Sequence, residues 1–155
     1  MLGTLARDDI EELLSTEAVG RIGCIHEGRP YVVPICYVYQ DGAIYAHTTE
    51  GMKWQAMRAH PDVCFEVEHV DTLNAWRSVI AWGRVEELDG ADAEHGLRLL
   101  IDRLTPLLRP GASSGTPPPT HGTAGHAAVY RIRLSEKTGR YESPDAGAPT
   151  ATSSR

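Results

Sequence analysis

The sequence predicts a mainly β domain, a small antiparallel barrel with flanking helices. Short runs rich in β-branched and aromatic residues recur along the chain, separated by tight-turn residues such as Glu27-Gly28 and Asp41-Gly42. Strands and helices do not alternate in the rhythm that a parallel doubly wound sheet requires. Short antiparallel strands joined in this way close readily into a barrel.

Residues 4–15 read as a helix. Leu5, Ile10, Leu13 and Leu14 form a partial apolar stripe, and Asp8, Asp9, Glu11 and Glu12 crowd the early turns, where the helix dipole favours negative charge. From Ala18 the pattern becomes strand-like, with Val19, Ile22, Cys24 and Ile25, until Glu27-Gly28-Arg29-Pro30 supplies a turn. Tyr31 to Tyr39 is the second strand. Pro34 lies inside it, and a residue without an N–H marks an edge, a bulge or a close ligand approach. Asp41-Gly42 is the strongest hairpin signal in the chain and leads into a third strand, Ile44 to His47. A short helix over 52–59 follows, stopped by His60-Pro61. Val63 to Val70 and Arg77 to Leu88 are two further strands, with Gly83 placed for a bulge in the second. Asp89 can cap a helix in which Leu97, Leu100, Ile101, Leu104 and Leu108 recur at spacings of three and four, and Pro106 can shorten it. That helix serves core packing or a dimer face. Ala127 to Leu134 alternates as the last strand.

A length of 155 residues suits one domain with its own core. The domain is expected over 1–142, with 109–126 as a mobile loop rich in Pro, Gly, Ser and Thr, and 143–155 as a disordered tail. A net charge of −6 argues against general nucleic-acid binding, which needs a basic footprint. No signal core or membrane-length apolar run is present, so the expected compartment is the cytoplasm and no membrane partner is expected. Cys24, Cys36 and Cys64 each lie in an apolar run and no C-x-x-C occurs, so they are expected as small buried hydrophobes, not as a zinc or redox site.

Neither G-x-G-x-x-G nor a P-loop motif occurs. Gly111 to Gly115 spells G-x-S-x-G, but Pro110 before it and Thr116-Pro117-Pro118-Pro119 after it exclude the strand and helix that a nucleophile elbow needs. His121 and His126 share that loop with no carboxylate or thiol nearby, which is weak evidence for a metal.

The informative stretch is Ile44 to Glu66. A strand ends in His47, Thr48 and Thr49, a turn passes through Glu50-Gly51, and a helix opens at Met52-Lys53. Hydroxyls, a glycine and a lysine thus meet at a helix N-terminus, where backbone N–H groups and the dipole favour an anion. Lys53 is one of two lysines beside thirteen arginines. His47 is either an ordinary imidazole or a donor or acid–base group beside that corner. Trp76-Arg77-Ser78 offers a bidentate phosphate ligand and a hydroxyl, or simply an exposed strand start.

Y-V-V-P-I-C-Y-V-Y, then D-G-A-I-Y-A-H-T-T-E-G-M-K, H-P-D-V-C-F-E-V and W-R-S-V-I-A-W-G-R-V-E-E together resemble the flavin-binding split barrels related to pyridoxamine 5′-phosphate oxidase. Within them the similarity is to nitroimidazole-resistance reductases and related flavin-nucleotide-binding proteins, and it covers Leu5 to Leu108 and the final strand near Val129. The resemblance implies a six-stranded antiparallel split barrel, a homodimer and two FMN sites at its interface. It places Pro34, Ile35, Cys36 and Tyr37 along the isoalloxazine, and His47, Thr48 and Thr49 beside the cofactor. Lys53 would bind the phosphate, and Trp76, Arg77 and Ser78 would complete the site. His47 then stands on the acceptor side as the catalytic candidate.

Two departures are visible. Gly51 and Met52 stand where many relatives carry arginine or serine, with Arg58 or Arg77 as substitutes. The end of the chain, R-I-R-L-S-E-K-T-G-R-Y-E-S, lacks the basic proline-containing motif by which the true oxidase holds its vitamin substrate. The expected activity is therefore an FMN-dependent reduction of a small aromatic or nitro-aromatic acceptor by a reduced nicotinamide. A deazaflavin enzyme and a non-catalytic flavin or haem carrier are the alternatives.

Overall fold

The computed structural model describes residues 1–108 and 127–144. The expected loop 109–126 and, of the expected tail, 145–155 lie outside the described residues. In chain order the elements are β1 (Leu2–Thr4), α1 (Arg7–Thr16), β2 (Val19–His26), β3 (Arg29–Cys36), β4 (Val38–Gln40), β5 (Ala43–Thr48), α2 (Met52–Ala59), β6 (Asp62–Thr72), β7 (Ala75–Glu87), α3 (Gly90–Leu104), a 3₁₀ turn (Thr105–Leu107) and β8 (Ala128–Glu142). Among the described residues, no helix is long and apolar enough to cross a membrane.

Tight turns set the local register. Glu27 and Gly28 have φ of 49° and 74°, and Asp41 and Gly42 have 51° and 77°. Two successive left-handed residues match the twist of a two-residue hairpin, so β2 folds onto β3 and β4 onto β5. β7 carries the expected irregularity: its register against β8 shifts between Trp82 and Gly83. A Cβ at Gly83 would lie 2.3 Å from the Arg133 carbonyl oxygen, so the backbones meet there only because the residue is glycine.

All pairings are antiparallel, and the strands lie in the order β3-β2-β6-β7-β8-β5-β4, with β1 added to β8. The two ends of that path, β3 and β4, are consecutive in the chain and joined by one residue, Tyr37. A flat sheet cannot bring its own edges within one residue of each other, so the sheet rolls up. This is the split barrel, with the split running between β3 and β4. Eight strands replace the six expected because the run Tyr31 to Tyr39 breaks at Tyr37 and because β1 adds a short outer strand. Pro34 falls on the edge strand β3, where a missing N–H costs no ladder bond.

Tyr37 holds the rolled sheet. Its N–H donates to the Ala18 carbonyl at 3.0 Å, its hydroxyl to the Leu14 carbonyl at 2.8 Å, and its buried ring meets Phe65 edge-on at 4.9 Å. Burial raises the pKa of its phenol, so it remains a neutral donor. Around it the inward residues of the strands, among them Ile22, Ile44, Phe65, Val79 and Ile132, meet Leu13 and Leu14 of α1 and Trp54 and Met57 of α2.

α1 begins later than expected, since residues 2–4 pair with β8. It is fastened by side chains: Lys137 donates to Glu11 and to the Tyr39 hydroxyl, and Tyr39 donates to Glu11 at 2.6 Å. Burial opposes the charge of Glu11, yet the bonds from Lys137 and Tyr39 hold its carboxyl below the usual range. On α3, Asp89 occupies the N-cap position but makes no side-chain cap bond. Only Leu100 of the expected apolar set is buried; Leu97, Ile101 and Leu108 face outward.

Two predictions follow from this architecture. Tyr37→Phe strips the Leu14 carbonyl of its donor and is expected to cost about 1 kcal/mol. Tyr37→Ala empties the split and is expected to cost about 3–5 kcal/mol by urea unfolding; a cost near zero for both would show that the ring does not hold the barrel shut. The second concerns His69, whose Nδ1 lies 2.7 Å from Glu17 and Nε2 3.2 Å from Asp71, with Arg77 opposite it on β7 but engaged by Glu12. Hydrogen bonds to Glu17 and then Asp71 raise its pKa from 6.5, so the stabilisation is complete below 6.5 and is lost as pH rises through the folded value. His69→Gln is expected to lower the thermal midpoint at pH about 5.5 and to change it little at pH about 8.5. Equal losses at both would exclude the charged bridge.

Candidate functional site

The corner at the end of β5 forms as the sequence suggests. Strand alternation sends Ile44, Ala46 and Thr48 into the barrel and Tyr45 and His47 outward. Thr48 is buried, and its hydroxyl donates to the Thr49 carbonyl at 3.0 Å. His47 is exposed, paired across the ladder with Val129. The chain turns through Thr49, Glu50 and Gly51 into α2. Gly51 is extended at the N-cap, no side chain caps the helix, and a Cβ on Gly51 would meet nothing within 4 Å. The first-turn N–H groups of α2 have no partner within the helix, and space lies open beside them.

Lys53 in that first turn is half-buried. Burial lowers the pKa of its ammonium, with only the Cys24 thiol acting to raise it, and among the described residues it makes no ion pair or hydrogen bond. Many of its fellow cations are engaged. Lys137 is tied to Glu11, Arg21 to Glu66 and Glu68, Arg77 to Glu12, Arg84 to Asp62, and Arg131 and Arg133 to Glu86. A partly desolvated, uncommitted ammonium beside uncapped amides suits a phosphate. The donor set therefore fits the anionic end of a nucleotide cofactor.

The other predicted residues divide into two groups. The β4–β5 ladder ends on the pair Val38–Tyr45, so Tyr37 and Cys36 on one side and Ala46 and His47 on the other flank the mouth of the split. Within the segment Pro34 to Tyr37, Ile35 and Tyr37 point inward while Pro34 and Cys36 are exposed. Cys36 is thus not the buried hydrophobe expected, because it alternates with two core residues. Cys24 is buried, and Cys64, paired to Gly23, is intermediate. Trp76, Arg77 and Ser78 lie elsewhere. Ser78 pairs with Arg140, whereas Thr48 pairs with Ala128, and the twelve intervening steps of β8 span about 40 Å of contour. Trp76 donates to Glu142 at 3.0 Å and Arg77 to Glu12 at 3.1 Å. One chain does not bring Trp76–Ser78 to the Lys53 corner. Nor is Arg58 a substitute there; it sits in the last turn of α2, over the Trp54 ring at 5.9 Å.

Tyr130 escaped the sequence reading. It is fully buried against Trp54, with ring centroids 5.7 Å apart, and among the described residues its hydroxyl has no hydrogen-bond partner. The alternation Ala128, Tyr130, Ile132 already placed it on an apolar face, where a phenol needs an acceptor.

A groove of about 660 Å³ opens on the outer side of the sheet, on the faces of β2, β3, β6 and β7. Its floor is Gly23 and Cys64, its walls include Val32 and Trp82, and Arg84 and Glu86 line it as well. None of the predicted site residues lines it. Val32 and Trp82 are 63% and 42% exposed, a large apolar surface for an outer sheet face. Among the described residues no cluster of three or more His, Cys, Asp or Glu is placed to hold a metal; His121 and His126 lie outside them.

A family model described as pyridoxamine 5′-phosphate oxidase matches residues 6–141. An FAD-binding protein of Mesorhizobium loti is 31% identical, superposes with a TM-score of 0.71, and the match covers 92% of this chain and 99% of that one. A candidate 5-nitroimidazole antibiotic resistance protein of Bacteroides thetaiotaomicron shares the fold at 18% identity and a TM-score of 0.67, over 91% of this chain and 89% of its own. An uncharacterized protein of Rhizobium meliloti is 25% identical over 140 residues, 88% of this chain and 92% of its own.

Proposed function

The chain belongs to the pyridoxamine 5′-phosphate oxidase family, and on that footing we propose that it is a flavin-dependent oxidoreductase that holds FMN with its phosphate at the α2 N-terminus. The observation that carries this reading is Lys53: a half-buried ammonium with no carboxylate partner among the described residues, in the first turn of an uncapped helix with open space at Gly51. When bound, the flavin supplies two-electron chemistry between a reduced nicotinamide and a small aromatic or nitro-aromatic acceptor. Lys53 and the first-turn amides bind the phosphate, and Thr48 and Thr49 shape the turn beside it. Pro34 to Tyr37 line the ring at the mouth of the split. His47, exposed at that mouth, is placed to hold or pass a proton on the acceptor side. FAD is the second reading, favoured by the Mesorhizobium loti relative; it uses the same phosphate corner and demands more room beyond it.

Trp76, Arg77 and Ser78 join the site from a second copy of the chain. Their distance from Lys53 within one chain motivates this, and the exposed apolar groove around Val32 and Trp82 is the face that a second copy covers.

Titration of the purified protein with FMN, FAD, a deazaflavin and haem is expected to show FMN as the tightest ligand. Lys53→Ala should weaken FMN about 10- to 100-fold, the worth of one hydrogen bond to a charged group. Undiminished binding would remove Lys53 from the site, and failure to oxidise reduced nicotinamide with any nitro-aromatic acceptor would reduce the protein to a carrier. For the assembly, sedimentation is expected to give a dimer, and Trp82→Glu a monomer with weakened FMN binding. A monomeric parent protein that binds FMN well would sink the two-chain site.

A further inference from the structure

A second cavity lies against α2, apart from the groove on the outer sheet face. It is a slot of about 320 Å³ between that helix and the β2–β3 turn, with Ile25 and His26 on one side and Gln55, Ala56, Ala59 and His60 on the other. The helical spacing runs through both caps, since the Gln55 N–H donates to the Gly51 carbonyl at 3.0 Å and the His60 N–H to the Ala56 carbonyl at 2.9 Å. Residues three, four and seven apart on a helix share a face. Gln55 and Ala59 therefore continue the stripe that starts at Gly51, and Ala56 and His60 the stripe that starts at Lys53. At 1.5 Å of rise per residue, the middle of the slot is about 8 Å along the helix from its first residue. The phosphate corner and the slot thus lie on one flank of α2.

The lining suits a flat heteroaromatic base. Ile25, Ala56 and Ala59 give apolar walls, and the two alanines leave breadth for a planar ring. His26 and His60 supply imidazole faces, on which nucleobases stack. Gln55 supplies a carboxamide, the group that pairs at two points with the N6 and N7 edge of adenine. Among the described residues the side chains of Gln55 and His60 make no hydrogen bond or ion pair, and His26 meets only the Tyr31 ring, at 6.2 Å. The polar edges of the slot are therefore uncommitted. Glu27, which also lines it, offers a carboxylate of the kind that accepts from ribose hydroxyls.

The slot is far from the segment assigned to the flavin ring. Pro34 to Tyr37 lie at one end of β3 and the β2–β3 turn at the other, and the seven steps from Arg29 to Cys36 span about 23 Å. One ring cannot occupy both ends, whereas an extended dinucleotide reaches from one toward the other. We infer that the slot seats the adenine of FAD, with the isoalloxazine at the mouth of the split and the pyrophosphate at the α2 N-terminus between them. The inference rests on the reading of the α2 corner as a flavin phosphate site, and it supplies the room that FAD needs beyond that corner.

The test compares FAD, FMN and ADP by calorimetric titration of the full chain. Ala59 and Gln55 are exposed, so substitutions there spare the core. Ala59→Trp fills the slot and is expected to raise the FAD dissociation constant about 10- to 100-fold, the worth of one stacked base, while FMN stays within about twofold of the parent. Gln55→Ala is expected to weaken FAD about 5- to 10-fold and to spare FMN in the same way. The retained FMN affinity shows that α2 is still folded. ADP is expected to displace FMN from the parent and to fail with Ala59→Trp. FAD affinity within about twofold of the parent in both variants, or equal losses of FAD and FMN, would overturn the slot; a Lys53→Ala variant that still loses FMN would leave the phosphate corner standing. In a parent that binds neither flavin, ADP binding abolished by Ala59→Trp would keep the slot without the flavin, and no ADP binding would overturn both.

Discussion

One residue decides the shape of this protein. The strands at the two ends of the hydrogen-bonded path are consecutive in the chain and separated by Tyr37 alone, so the sheet has no open form available to it. The two edges need not bond to each other. The ring of Tyr37 is buried edge-on against Phe65, its hydroxyl fastens α1 through Leu14, and its N–H fastens the start of β2 through Ala18. Everything else at the mouth, including the exposure of Pro34 and Cys36 and the position of His47, follows from where that single-residue link holds the sheet.

The electrostatics divide in the same economical way. This is an acidic chain in which the engaged arginines and Lys137 are answered by carboxylates on a neighbouring strand or helix. Exposed pairs of that sort add little stability each, but they fix which cations are unavailable to a ligand. Against that background Lys53, without an ion pair among the described residues, stands out for what surrounds it: an uncapped helix end and a glycine with no neighbour over it.

Much of this was legible in the residues. The two hairpins announced themselves through Glu27-Gly28 and Asp41-Gly42, the edge through Pro34, the bulge through Gly83, and α2 through its start at Met52 and its stop at His60-Pro61. These are local effects of backbone conformation, which neighbouring residues dictate. What stayed hidden depends on distant partners. β1 is a strand only because residues 140–142 lie beside it, and β8 runs on through the polar stretch Ser135 to Glu142 because β7 offers it a ladder. Side-chain direction explains the remaining surprises. Cys36 lies in an apolar run yet faces out, and Tyr130 points inward with a hydroxyl that has no acceptor among the described residues. The separation of Trp76–Ser78 from Lys53 is likewise a matter of register along β8, which no local pattern encodes.

The pairing of β1 with the far end of β8 has a consequence for how the chain reaches this structure. Leu2 lies opposite Glu142 and Thr4 opposite Arg140, and β8 is also the strand that joins β5 to β7. During synthesis the β2–β3 and β4–β5 hairpins and the β6–β7 pair can form as they emerge, since their contacts are short-range. The halves they belong to stay unjoined until β8 arrives. Contacts of such long sequence separation make for slow closure, and until then β5 and β7 each present an unpaired edge, the kind of surface on which nascent chains pair wrongly with one another. The strand that completes the sheet is thus also the step at which a helper that shields edges would matter most.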